Sequence, residues 1–105
     1  MPTEPPSGQT VQLHEQAAAE YDEAFDWYFS RSVDSALRFD AEVERAIAQI
    51  ALKPQRWPLS FLDTRKYLLT DFPFFLIYRE SVSGVIQVLA VAHTSRKPEY
   101  WKGRL

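Results

Sequence analysis

Apolar residues recur along this chain with different spacings, and each spacing predicts its own element. From Glu15 to about Arg31, Ala17, Ala18, Tyr21, Ala24, Phe25 and Tyr28 share one stripe of a 3.6-residue period, which predicts an amphipathic helix. Glu20, Asp22, Glu23 and Asp26 read mostly as its solvated side, and Glu15 complements the helix dipole in the first turn. Trp27 and Phe29 lie off the stripe and either widen the buried face, the first reading, or contact a partner. A second stripe, Ala36, Phe39, Val43, Ile47 and Ile50, backed by Ala46 and Ala51, predicts a helix from Val33 or Asp34 to Leu52. Ser32 and Asp34 can cap its first N–H groups, and Pro54 and Pro58 end it. The short link makes the two helices an antiparallel hairpin.

The remaining pattern is strand-like. Val11-Gln12-Leu13 alternates over a short stretch, Arg65 to Leu69 is a plausible strand, and Phe74 to Glu80 is rich in aromatic and β-branched residues. Asp71-Phe72-Pro73 and Ser81 to Gly84 are turn chemistry. Val85 to Ala92 is apolar at every position except Gln87, which predicts a central strand covered on both sides. The order is β-α-α-β-β-β. This is an α+β fold, with the helical hairpin packed on one face of a small, mostly antiparallel sheet.

With 105 residues there is room for one core. Residues 1–10, with three prolines before Gly8, read as a disordered leader, and residues 11–105 as the single domain. No run of apolar residues is long enough for a membrane span, and Met1 to Gly8 lacks the pattern of a signal peptide. The expected compartment is the cytoplasm. The absence of cysteine excludes disulfides and a thiolate nucleophile. His14 and His93 are too far apart in sequence to suggest a metal site, and three scattered glycines make no phosphate loop. No metal and no cofactor is expected.

Charge changes the picture. The formal total is −2, but residues 1–51 hold ten acids against three basic residues, and residues 52–105 hold nine basic residues against four acids. A split of −7 and +5 marks a partner surface, or it means only that acidic helices precede a basic sheet. The basic half also holds Phe74, Phe75, Tyr100 and Trp101, a mixture suited to phosphates and bases or to an acidic amphipathic peptide. The candidate partner-binding residues are Arg65, Lys66, Arg79, Arg96, Tyr100 and Trp101. His93, at the end of the central strand, can serve as a general acid or base in metal-free RNA cleavage, or can fix the tail through a hydrogen bond. Arg96 can grip a partner's carboxylate or phosphate, or cap the fold internally. Trp101 is read mainly as an anchor for the tail.

Two segments carry a family resemblance. Lys66-Tyr-Leu-Leu-Thr-Asp-Phe-Pro-Phe-Phe-Leu-Ile-Tyr78-Arg79, and Val88 to Trp101 with its closing His-x-x-Arg-x-Pro-x-Tyr-Trp, resemble the toxins of the RelE/ParE superfamily, on the ParE side. These belong to type II toxin–antitoxin systems and are often called plasmid stabilisation proteins. The resemblance spans roughly Val11 to Trp101 and implies the β-α-α-β-β-β fold. It also implies a cognate, ParD-like antitoxin encoded beside the toxin. ParE-type toxins are associated with poisoning DNA gyrase. RelE-type toxins cut mRNA on the ribosome without a metal.

The ribonuclease pattern is incomplete here. Leu68 stands where a second basic residue of the first sheet strand after the helices is expected, and Phe75 replaces the next strand's arginine. Each lost cation forfeits transition-state stabilisation of ~3–4 kcal/mol. A gyrase-directed toxin without enzymatic activity is the first expectation. The alternatives are a ribosome-dependent ribonuclease using His93, Arg96 and Tyr100, and a non-toxic remnant that keeps only its antitoxin.

Overall fold

A computed structural model describes residues 8–105. Strand β1 (Val11–Leu13) leads into helix α1 (Glu15–Phe29) and helix α2 (Val33–Leu52). After two short 3-10 turns come β2 (Arg65–Leu68), β3 (Phe74–Glu80) and β4 (Ile86–His93). The sheet order is β1-β4-β3-β2, with β1 parallel to β4 and the other pairs antiparallel. The predicted element order and the central place of the last strand both hold.

Local chemistry sets the helix ends. His14 Nδ1 accepts the Gln16 N–H and Ser32 Oγ accepts the Ser35 N–H, so each helix begins on a side-chain cap. α1 ends at Phe29, two residues short of the expected Arg31. Ser30 Oγ and Arg31 Nη1 both donate to the Trp27 carbonyl and close the last turn there.

The expected leader divides. Residues 1–7 lie outside the described residues. Gly8 to Thr10, expected to be disordered, are instead tied to the body. Gln9 N–H donates to the Ala51 carbonyl, its side-chain amide donates to Glu80 and to the Gly84 carbonyl, and Ile86 N–H donates to Thr10 O. Gly8 has φ +68°, and a Cβ built there meets Ala51 O at 2.3 Å, so only glycine fits this close crossing.

The sheet has a dry layer on each side. Toward the helices, Phe39, Val43, Ala46 and Ile50 meet Leu76, Tyr78, Ile86, Val88 and Val91. Tyr28, Phe39, Phe72 and Phe74 form an aromatic knot there, with ring centroids 5.2–6.5 Å apart. On the opposite face Ile77, Leu89, Ala90 and Ala92 are covered by Trp101, which is 3% exposed. The tail thus supplies the second cover that the apolar β4 pattern demanded.

A β-bulge explains why β4 shows no clean alternation. Ile77 pairs with Ala90 but Tyr78 pairs with Val88, so Leu89 is an extra residue. Leu89 and Ala90 both enter the Trp101 layer, and the parity of every later side chain inverts. Val91 therefore returns to the helix side, and the His93 ring meets that of Phe74 edge-on at 5.1 Å.

Candidate functional site

β1 ends opposite Val88, so the edge of β4 beyond it has no strand neighbour among the described residues. Two side chains stand in for the missing strand. Glu20 Oε1 accepts the Val91 N–H at 3.0 Å, and Arg104 Nη1 donates to the Leu89 carbonyl at 2.9 Å. The same two side chains pair bidentately, Nη1 to Oε1 at 2.8 Å and Nη2 to Oε2 at 3.0 Å. Tyr100 donates its hydroxyl to Glu20 Oε2 at 2.7 Å. One carboxylate on α1 therefore locks the C-terminal tail against the sheet edge.

Burial alone raises the Glu20 pKa. The hydrogen bonds from Arg104, Tyr100 and Val91, with the charge of Arg104, outweigh it and hold this carboxyl below its ordinary value. Burial and the Glu20 carboxylate together push the Tyr100 phenol well above the usual tyrosine range. Glu20 thus corrects its reading as a solvated residue. Its position gave the signal, since it sits three residues after the buried Ala17 and four before the buried Ala24.

The expected partner-binding residues divide among three environments. Trp101 is buried under the sheet and drops out of any contact surface, in keeping with its anchor reading. Arg65 faces the helix side, where Nη1 donates to the backbone carbonyls of Trp57 and Gln55 and ties the guanidinium to the fold. Arg96 is exposed but stacks its guanidinium 3.8 Å from the Tyr100 ring centroid. Lys66 and Arg79 lie on the outer sheet face, Lys66 paired with Ile77 and Arg79 with Gln87. The Lys66 ammonium sits 5.0 Å from the Phe75 ring centroid. Neither Lys66 nor Arg79 has an ion-pair partner among the described residues.

His93, Arg96 and Tyr100 come near one another around the turn after β4, where Arg96 N–H donates to the His93 carbonyl and the Arg96 guanidinium lies on the Tyr100 ring. His93 Nδ1 accepts the Ser95 N–H at 3.0 Å, which leaves Nε2 as the proton-bearing nitrogen of the neutral ring. The histidine thereby fixes the turn after β4. Tyr100 gives its proton to a hydrogen bond with Glu20 and is a poor general base near neutral pH. Leu68, 55% exposed, and Phe75 form a cross-strand pair on the outer face, where the ribonuclease pattern expects cations.

Trp27 and Phe29 depart from the first of their two readings. Both are 52% exposed and do not widen the buried face. With Val33 and Leu37, also more than half exposed, they place large apolar side chains around the hairpin turn. Arg31 covers the Trp27 ring at 3.6 Å.

The fold and its surfaces define a small α+β protein whose exposed chemistry is acidic along the helices, apolar around their hairpin turn and basic on the outer sheet face. The chain matches the family described as the ParE toxin of the type II toxin–antitoxin system parDE over residues 11–98. It belongs to that ParE toxin family. Among solved structures it is similar to a chain of the chromosomal ParDE toxin–antitoxin system from P. aeruginosa, with a TM-score of 0.70 and 18% identity, over 83% of this chain and 97% of that one. That likeness is one of fold. No curated protein sequence matches the chain.

Proposed function

We propose that this ParE-family chain acts on DNA gyrase as a non-enzymatic toxin and is neutralised in the cytoplasm by a ParD-like antitoxin encoded beside it. The observation that carries this reading is the outer sheet face. Lys66 and Arg79 offer positive charge there, while Leu68 and Phe75 on the same face are uncharged, where the RelE-like pattern of the resemblance has cations. Tyr100, held by Glu20, supports the same reading. The apolar residues around the hairpin turn suit an amphipathic antitoxin segment.

The test uses purified chain with two readouts in parallel. Gyrase supercoiling should fall and cleaved DNA should accumulate, while mRNA in a translation extract stays intact. Reversing both Lys66 and Arg79 to Glu should relieve the gyrase effect and leave the melting temperature unchanged. Codon-linked mRNA cuts abolished by a His93→Ala, Tyr100→Phe double change would establish the ribonuclease reading instead. Normal growth on induction without antitoxin would identify a non-toxic remnant.

A further inference from the structure

Between α1 and the last residues of β4 lies a cavity of about 470 Å³, in the size range of roughly 300–1,000 Å³ typical of ligand sites. Trp27, Tyr28, Phe74 and His93 line it. These four rings follow one another in steeply inclined contacts. Trp27 meets Tyr28 at 86° and 5.1 Å, Tyr28 meets Phe74 at 64° and 6.5 Å, and Phe74 meets His93 at 85° and 5.1 Å. Trp27, Tyr28 and Phe74 thus offer differently inclined π-faces along the cavity wall, and His93 closes the row edge-on against Phe74. Aromatic faces carry negative quadrupole charge, and a box of them favours a cation.

The charges around the box point the same way. Glu20 and Glu23 line it, and α1 carries five carboxylates with no basic residue between Glu15 and Phe29. The Glu20 charge is matched by Arg104, whereas Glu23 is exposed and has no ion-pair partner among the described residues. Arg96, the one Lys or Arg lining the cavity, holds its guanidinium on the Tyr100 ring. The protein's own guanidinium groups already stack on rings here: Arg31 takes one face of Trp27 at 3.6 Å, which leaves the other face to the cavity, and Arg96 lies on Tyr100 at 3.8 Å.

The geometry points to a cation-accepting site in which this aromatic box, with Glu23 beside it, takes an arginine side chain from a basic segment of a partner protein. A planar, weakly hydrated guanidinium stacks on the rings while its N–H groups reach the carboxylate. The cavity adjoins the helix face of the sheet, whereas Lys66 and Arg79 stand on the other face. The inference is therefore independent of the gyrase reading.

The test is an NMR titration of the isotope-labelled full chain with N-acetylarginine amide. In parallel arms the probes are its uncharged isostere N-acetylcitrulline amide and the small quaternary ammonium choline. The arginine probe should shift the Trp27 indole N–H and the backbone amides of Glu23 and His93 together and saturably. It should bind at least about tenfold more tightly than the citrulline probe. Glu23→Gln, on an exposed helical position, should remove most of that preference and leave the citrulline arm unchanged. Equal binding of arginine and citrulline probes, an unaltered preference in E23Q, or no saturable shift would overturn the proposal. Tighter binding of choline would also overturn it, because the box would then serve a free ammonium ligand. Gyrase is absent from the experiment, so failure of the gyrase reading leaves the result intact.

Discussion

Glu20→Ala should be among the most damaging single changes in α1, although sequence places Glu20 on an acidic helix. The carboxylate receives four hydrogen bonds, from Val91 N–H, the Tyr100 hydroxyl and both terminal nitrogens of Arg104. A hydrogen bond to a charged group contributes about 1.5–3 kcal/mol. The two side chains keep 16% and 11% of their exposure, so water offsets part of that sum. Truncation also strands the Arg104 charge and the Val91 N–H at the sheet edge, a loss measured in comparable sites at about 3–5 kcal/mol. With water access counted, we expect about 3 kcal/mol, read by urea unfolding as a fall in midpoint at constant slope. In a thermal melt the same loss lowers the midpoint by roughly 14 °C. Arg104→Ala should cost about 2 kcal/mol, and the double mutant should show a coupling energy of about 1–2 kcal/mol. Zero coupling, or a Glu20→Ala cost under about 0.5 kcal/mol, would refute the role of this pair.

The same carboxylate gives a pH signature. A folded-state pKa held below the unfolded value means that the stabilisation is fully present above the unfolded pKa and is lost as pH falls through the folded one. Wild-type stability should therefore decline below about pH 4.5, and Glu20→Ala should flatten that part of the acid limb. An identical acid limb in wild type and variant would show that other carboxyls govern it.

Further outcomes test the rest of the fold. Trp101→Ala removes the cover over Ile77, Leu89 and Ala92 and should cost about 3–5 kcal/mol by urea unfolding. Gly8→Ala forces a Cβ onto the Ala51 carbonyl, so hydrogen exchange at the Gln9 amide should accelerate while the β3 and β4 amides stay protected. Burial pushes the Tyr78 phenol up to about 12. Stability that depends on the neutral phenol is present below pH ~10 and lost as pH rises toward that value, so Tyr78→Phe should shallow the alkaline limb.

The sequence showed the layers and hid the fasteners. Periodicity is a property of many residues at once, so the two helical stripes and the strand order survive a few exceptions. The exceptions are where single contacts act. Glu20 was indistinguishable by charge from Asp22 and Glu23. Its place between Ala17 and Ala24 on the buried stripe hints that it is covered, but its partner Arg104 lies eighty-four residues away, and no local pattern names such a partner. Trp27 and Phe29 carry the same apolar label as Phe25, yet Phe25 packs against the core while they stand half in water. Arg65 and Lys66 were read as one basic pair. The strand's period of two sends Arg65 to the helix side as a backbone clamp and leaves Lys66 on the outer face.

The bulge at Leu89 joins these details into one device. Without the extra residue, β4 would keep a strict period of two, and Val91 and His93 would stand on the face that Trp101 covers. With it, His93 joins the aromatic box beside α1 while Leu89 and Ala90 both feed the Trp101 layer. The edge beyond Val88 leaves the Leu89 carbonyl and the Val91 N–H without strand partners, and Arg104 and Glu20 take both. The charge split of the chain follows from this plan. Glu20 and Glu23 of α1 face the box and the tail latch, and Lys66 and Arg79 stand on the opposite face of the sheet. A net charge near zero therefore describes two opposed surfaces. Arg104, drawn from the basic half and set against the acidic one, holds them together.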